Sequence, residues 1–582
     1  MTGWGAAQRG ERAADADAGE TLILAAESGE SLADQLVSAL AAEGIVTYFG
    51  VPGGAIESLF DALARYQRAG RVTLVPMRSE AGTAFAADGY HRATGGISAC
   101  VATSGPGISN LLTAVMSAHA DRIPLLALTP QVSLCKQGRG ALQESSEDGY
   151  DLTRILAACT RYSSTVTHPL QLPHKLARAL ASARGAPGGP VHLSIPSDVL
   201  AGRAIQAAND GGVIGHRGVS AAVDHGALTA LSGDLRVAAS PVLYVGDDAG
   251  PTAHRLFDLA HRTGGTVVAS PGGKRWVGHL DSAYRGVSGF SGHASARAAM
   301  GAADLIVTFG ATFDELSTNA WRTFSKVPVY AVDRHAMHAH RLPHARPVIA
   351  DVALAIDWIG RAAHGTGGAL RRRRIATVPQ IVHSSGDGPV HPADLMRWLG
   401  DELPEDVVVH VDAGNSFSWS TRDLNRTLPD TYRVAMGLSS MGWALAASVG
   451  AAVASGRRTV CVSGDGAMLM ASNDLTVAVE RNLPVTYVVL NDAGLGMVRH
   501  GQRLSGAESI AHAIAPVRFD QIAQACGAFG IRVAGLADLA SVPREWLESD
   551  AGGPCLIDVQ IDRDAVPPMA DRVLGLATGV PK

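Results

Sequence analysis

Two acidic, glycine-flanked turns carry the residues of this chain best suited to chemistry. The apolar run Thr459–Ser463 stops at Gly464-Asp465-Gly466, and the apolar run Val485–Leu490 stops at Asn491-Asp492-Ala493-Gly494. A helical stretch separates the two runs, so the pattern is strand, helix, strand, with a carboxylate at the end of each strand. In an open parallel sheet, ligands bind beyond the carboxyl ends of the strands. Glycines let the backbone come close to a ligand, and the first turn of a helix offers unpaired N–H groups to an anion. Two hard oxygen donors beside such a helix start suit Mg2+ or Ca2+ bridging to a diphosphate. A Gly-Asp-Gly turn by itself reads as a surface turn with a capping aspartate. The second aspartate, one helix and one strand later, is what a shared metal would require.

A third carboxylate, Glu80, stands where the strand Arg71–Pro76 gives way to a helix. The helix dipole alone favours an acid there. The helix behind it, however, is almost wholly small and apolar (Ala81, Gly82, Ala84, Phe85, Ala86, Ala87). A carboxylate leading a buried helix needs a partner, which marks it as a candidate for function.

The elements that must position these groups are α/β throughout. Residues 1–29 form an acidic, Ala/Gly-rich tail with no apolar signal-peptide core and are expected to be disordered. From Ser31 onward, strands and helices alternate: helix Ser31–Glu43, strand Val46–Gly50, helix Glu57–Tyr66, strand Ile97–Thr103, helix Ile108–His119 and strand Pro124–Thr129. Gly/Ala-rich stretches near 202–225 and 365–390 read as linkers. They divide the chain into domains at 30–201, 226–364 and 391–568, and 582 residues are too many for one core. The central part shows strands at Ser240–Gly246, Thr266–Ala269, Asp304–Phe309 and Val327–Val332, and has no Walker A loop.

Composition narrows the class. The chain is 47% hydrophobic and 18% charged with a net charge of −5, which gives no support to nucleic-acid binding. The one basic run, Arg371–Arg374, sits in a linker. The longest small-apolar run, Ala444–Ala454, is too short to span a bilayer. Six scattered cysteines without a CxxC pair read as reduced core thiols of a cytoplasmic protein.

Taken together, these motifs resemble those of thiamine diphosphate (ThDP)-dependent enzymes, and among them acetolactate synthase catalytic subunits. The resemblance runs from about residue 31 to 568 and implies three doubly wound parallel-sheet domains, which bind pyrimidine, stand centrally and bind diphosphate. It implies Mg2+ held by Asp465, Asp492 and the backbone carbonyl of Gly494, with Asp492 where the family usually has Asn. Glu80, at the head of a segment similar to the family's E-x-x-A-x-x-A-A-x-G-Y-x-R-x-T-G helix, takes the catalytic glutamate position. Gln143 matches a substrate-side glutamine. Pro52, Gly53, Thr103, Pro106 and Asn110 fall in the pyrimidine-side turns. Gly414, Asn415, Ser416, Gly464, Gly466, Ala467, Leu495, Gly496 and Met497 fall in the diphosphate-side turns. Met441 matches the wedge between the cofactor's rings, and Ser439 would offer its carbonyl to the cofactor's amino group. The family arrangement implies a homodimer or homotetramer whose active sites pair Glu80 of one chain with Asp465 of another.

The implied reaction is decarboxylation of a 2-oxo acid, pyruvate, followed by ligation of the enamine to a second carbonyl compound. The alternatives are a decarboxylase or lyase that releases aldehyde, and a catalytically silent homologue. The chain has no His-His pair for proton delivery, and Ser79 stands before Glu80 where synthases often have His, which favours ligation. The synthases place a Trp where Gly501 stands, a Phe at Leu142 and a Lys at Arg161, so the acceptor pocket is expected to differ. Arg499 and His500 are candidates for gripping an acceptor, with exposed helix residues as the plainer reading. FAD in the central domain stays open. Phe309–Glu315 resembles a turn of the flavin-containing synthases, whereas Gly246-Asp247-Asp248 replaces a Gly-rich turn with two carboxylates.

Overall fold

The computed structural model describes residues 30–205, 223–324, 327–362, 388–548 and 552–569. The N-terminal tail, the Arg371–Arg374 run and most of both linkers lie outside the described residues. Three six-stranded sheets, parallel throughout, carry the fold. The first holds β1 (Thr47–Gly50), β2 (Thr73–Pro76), β3 (Ala99–Val101), β4 (Leu126–Gln131), β5 (Tyr162–Thr165) and β6 (Val191–Pro196), in the order β2-β1-β3-β4-β6-β5. The second holds β7 (Pro241–Val245), β8 (Thr266–Ala269), β9 (Tyr284–Val287), β10 (Leu305–Phe309), β11 (Val329–Asp333) and β12 (Ala345–Ile349), in the order β12-β11-β10-β7-β8-β9. The third holds β13 (Val408–Val411), β14 (Tyr432–Val434), β15 (Thr459–Gly464), β16 (Val485–Asn491), β17 (Phe529–Val533) and β18 (Cys555–Gln560), in the order β14-β13-β15-β16-β18-β17. The first and third sheets thus share one strand order, while the central sheet is wound differently.

Central strands such as β4 and β16 are buried along their whole length, as strands covered by helices on both faces must be. Register brings the candidate turns level. Gly50 stands opposite both Pro76 and Val101, so the turns after β1, β2 and β3 emerge side by side. In the third sheet, Val411 is opposite Val462 and Gly464 is opposite Leu490, which aligns the turns after β13, β15 and β16.

The first and third domains share one hydrophobic cluster, in which Ala84, Ala86 and Ala87 pack with Ala444, Ala447 and Val449. The helices Glu80–Thr94 and Trp443–Ser455 cross at backbone contact. A Cβ on Gly89 would overlap the Ala447 carbonyl, and a Cβ on Gly450 would overlap the Ala86 carbonyl. Glycine at each crossing point is therefore a packing requirement. Beside the crossing, the buried Arg92 pairs with Asp88 and Asp121, donates to Val434 O at 3.0 Å and stacks over Trp443. The small-apolar run of the sequence is this interdomain helix, and among the described residues no helix is long and apolar enough to cross a membrane.

Candidate active site

On the first sheet, Glu80 is the first residue of its helix, and Ser79 caps that helix by accepting the Gly82 N–H at 3.0 Å. Asn110 Nδ2 donates to Glu80 Oε2 at 3.1 Å, so the carboxylate has the partner its position requires. The loop carrying Pro52 and Gly53 lies directly on the turn after β3, since a Cβ on Gly53 would stand 2.5 Å from the Thr103 side chain. Gln143 sits over the same turn, with its Cβ 2.7 Å from where Gly105 would carry one. Gln143 itself holds a φ of +61°, a left-handed value that a non-glycine residue keeps only where its surroundings enforce it. Pro106 opens the helix Pro106–Ala120, where its missing N–H costs nothing. Pro52, Gly53, Glu80, Thr103, Pro106, Asn110 and Gln143 thus gather around one set of strand ends.

On the third sheet, the two aspartates stand at the ends of the paired strands β15 and β16. Asp465 accepts the Gly466 N–H at 2.8 Å and the Gly494 N–H at 2.9 Å. A Cβ on Gly496 would lie 2.5 Å from Asn415 Nδ2 and 2.7 Å from Asp492 Oδ2, so all three residues converge. A Cβ on Gly466 would lie 2.6 Å from Leu495 and 3.5 Å from Met441 Cε. Met441 is 37% exposed at this place. Burial, and secondly the Asp465 carboxylate, push Asp492 up to about 7. Burial also raises Asp465, against the N–H groups it accepts. The helices Asn415–Asp423 and Gly496–Ser505 begin at Gly414 and Leu495 with no side-chain cap, which leaves their first N–H groups for a ligand. Gly464 ends β15, Ala467 is buried in the short helix Asp465–Ala471, and Met497 packs on the core of its own domain. The Ser416 hydroxyl is turned inward, donating to Asp412 O at 2.9 Å. Ser439 has a φ of +56° in the turn before Met441.

Two acids escaped the sequence reading. Asp412, at the end of β13, accepts the Gly442 N–H at 2.9 Å and the Ser463 hydroxyl at 3.2 Å, tying the Met441 turn to two strand ends. Burial pushes it up to about 6 against those bonds. Its signal was an acid immediately after an apolar strand, the same signal that marked Asp465. Asp474 lies against the head of the Glu80 helix beside Gly82, and accepts the Arg78 N–H at 3.4 Å. Burial pushes it up to about 7.

The plainer reading of Arg499 and His500 as exposed helix residues does not fit. Arg499 pairs with Asp564 and donates to Arg563 O at 2.6 Å, and His500 is 1% exposed. A cavity of about 950 Å3 opens elsewhere, between the central and third domains, beside Lys274, Arg285, Arg422 and Arg426. None of the residues singled out above lines it.

Residues 30–152 match the thiamine pyrophosphate enzyme N-terminal TPP binding domain, 228–359 the central domain and 412–559 the C-terminal TPP binding domain. The chain belongs to the thiamine pyrophosphate enzyme family. It is similar to the acetolactate synthase isozyme 2 large subunit of Escherichia coli (strain K12), at 32% identity over 91% of this chain and 95% of that one. It is also similar to the acetolactate synthase large subunit of Parasynechococcus marenigrum (strain WH8102), at 30% identity over 91% and 87%. The fold matches that of a thiamine diphosphate-dependent 4-hydroxybenzoylformate decarboxylase from Rhodococcus jostii RHA1, with a TM-score of 0.79, 21% identity, and coverage of 92% of this chain and 100% of that one.

For a thiamine pyrophosphate enzyme, the third-domain donor set is chemically apt. Asp465 is buried, Asp492 is half-buried within reach of the Asp465 charge, and such a pair of hard oxygen donors suits Mg2+. The Asn415 Oδ1 atom beside them is buried without a partner. Among the described residues no group of three or more His, Cys, Asp or Glu side chains could hold a metal, so a metal here would take the two aspartates and main-chain oxygen.

Proposed function

We propose that this thiamine pyrophosphate enzyme is an Mg2+-dependent carboligase. It would decarboxylate a 2-oxo acid, pyruvate, and join the remaining two-carbon unit to a second carbonyl compound, as acetolactate synthases do. The observation that carries this reading is the pairing of two prepared surfaces, the Glu80 cluster of the first sheet and the Asp465–Asp492 cluster of the third, in a chain 32% identical to an acetolactate synthase large subunit. Bound ThDP supplies the electron sink that lets a 2-oxo acid lose carbon dioxide. Asp465, Asp492 and the Gly494 carbonyl would hold Mg2+, and Asn415, Gly496 and the helix starts beside them would take the diphosphate. Met441 would support the bent cofactor, on a turn that Asp412 fixes through the Gly442 N–H. Glu80 would hold and release the proton of the aminopyrimidine, with Asn110 fixing its carboxylate. The sequence has no His-His pair of the kind that delivers a proton in simple decarboxylases, which supports ligation over aldehyde release.

A homo-oligomeric site, as the family arrangement implies, is part of the same proposal. Among the described residues no hydrogen bond or ion pair joins Glu80 to Asp465, Asp492 or the Met441 turn, and the Glu80 bond goes to Asn110 of its own domain. We assign the two halves of one active site to two chains. The test is a product analysis with ThDP, Mg2+ and pyruvate. Acetolactate is expected. Acetaldehyde alone would replace the carboligase with a decarboxylase, and no turnover by the cofactor-loaded protein would send the search to other 2-oxo acids.

A further inference from the structure

The central sheet, read as β9-β8-β7-β10-β11-β12, has the strand order of dinucleotide-binding folds, whose ligands lie in the crevice between the first and fourth strands, here β7 and β10. Such a site needs a glycine turn after the first strand, free N–H groups at the following helix start, and no competing negative charge. This crevice falls short on each count. The turn after β7 is Gly246-Asp247-Asp248-Ala249-Gly250. Three of its five N–H groups are spent inside the protein: Gly246 N donates to Phe309 O at 2.9 Å, Asp248 N to Gly310 O at 2.9 Å and Ala249 N to Gly246 O at 3.2 Å. Pro251 follows and has no N–H to give. It opens the 3-10 turn Pro251–Arg255, and the helix Leu256–Thr263 begins only after it.

The crevice is also filled. The backbones after β7 and β10 touch, because a Cβ on Gly246 would overlap the Gly310 carbonyl. The Asp247 carboxylate points inward to the hydroxyls of Ser270 and Thr312. A Cβ on Gly272 would stand 2.6 Å from it. Trp276 Nε1 closes over the turn, donating to Asp247 O at 2.8 Å. Asp314 and Asp333 add two further carboxylates around the same strand ends, and burial with the nearby Asp314 charge raises Asp247 to about 7. The cation that answers them comes from another domain. Arg122 of the first domain pairs with Asp248 and lies 2.6 Å from His338 Nε2. Its φ of +57° is one that a non-glycine residue keeps only when its surroundings hold it. Its neighbour Asp121 reaches the other way and accepts the Gly437 N–H of the third domain at 2.7 Å.

We propose that the central crevice is an interdomain joint and not a flavin site. Arg122 occupies the place a dinucleotide would need, and the protein carries and requires no FAD. The full chain, purified with ThDP and Mg2+, is denatured, its supernatant is examined for flavin fluorescence, and the native protein is titrated with FAD by calorimetry. No flavin above background and no saturable binding are expected. Flavin near one per chain, or saturable binding of added FAD, overturns the proposal. The Arg122→Ala variant is expected to melt at a lower temperature and to stay flavin-free. An unchanged melting temperature removes the joint, and a variant that acquires stoichiometric flavin shows that the crevice is a site merely plugged. Flavin content is read without turnover, so failure of the carboligase assignment leaves this result standing.

Discussion

The first and third sheets have one strand order and opposite chemistry. Both align turns at the carboxyl ends of three adjacent strands. In the first, the turns gather one carboxylate, one carboxamide pair and packed glycine–threonine contacts, the set proposed above to face a flat, weakly polar ring that exchanges a proton. In the third, they gather two carboxylates, an orphaned amide oxygen and uncapped helix starts, the set proposed above to hold a metal and a polyanion. A shared topology therefore fixes where a site lies and leaves its chemistry to a few strand-end residues.

Glu80→Gln separates the two halves most sharply. Turnover should fall by about 10²–10⁴-fold, the usual contribution of an acid–base group, while ThDP affinity measured by tryptophan quenching stays within a few-fold. Retained activity would remove Glu80 from the proton step. Arg92→Met attacks what joins the halves. It strands two buried carboxylates, Asp88 and Asp121, and loosens the contact to Val434 next to the Met441 turn, so stability should drop by about 3–5 kcal/mol in urea unfolding. A loss below 1 kcal/mol would show that the shared hydrophobic cluster suffices.

The smallest effect is a pH dependence at Asp474, which lies at the same seam. Its folded value of about 7 stands above that of an unfolded carboxylate, about 4. Its contribution to stability is therefore full below about pH 4 and is lost as pH rises through about 7. The melting temperature should fall by a few degrees between pH 5 and 8, and Asp474→Asn should flatten that fall. An identical slope in the variant would place the titrating group elsewhere.

The parts of this architecture that depend on local pattern were legible in the sequence. β15 and β16 are uninterrupted apolar runs ending at glycine and acid, and the expected strands match them to within a residue. The three-sheet α/β class followed from the alternation of such runs. Edge strands were harder: Tyr162–Thr165, Tyr284–Val287 and Phe529–Val533 contain polar residues or glycine, because one edge of each bonds to no strand. The stretch after Asp465 reads as one helix, but it breaks into Asp465–Ala471, a 3-10 turn at Ser472–Asp474 and Leu475–Glu480, which delivers Asp474 to the Glu80 helix. Nothing local announces that contact, since its partner is almost 400 residues away. The same distance problem hid the partners of Arg499, since Arg563 and Asp564 belong to another segment.

The glycine crossing of the Glu80 and Trp443 helices bears on how such a chain can be recombined. Each helix supplies the space that the other's backbone fills, and neither Gly89 nor Gly450 admits even a methyl group. A chimera that took its first domain from one relative and its third from another would have to match both glycines and the alanines around them at once. The central domain sets a matching condition of its own against the third, where the Asp430 N–H donates to Arg275 O at 2.6 Å and a Cβ on Gly278 would overlap the Thr427 carbonyl, so it too can be exchanged only together with the main chain it meets.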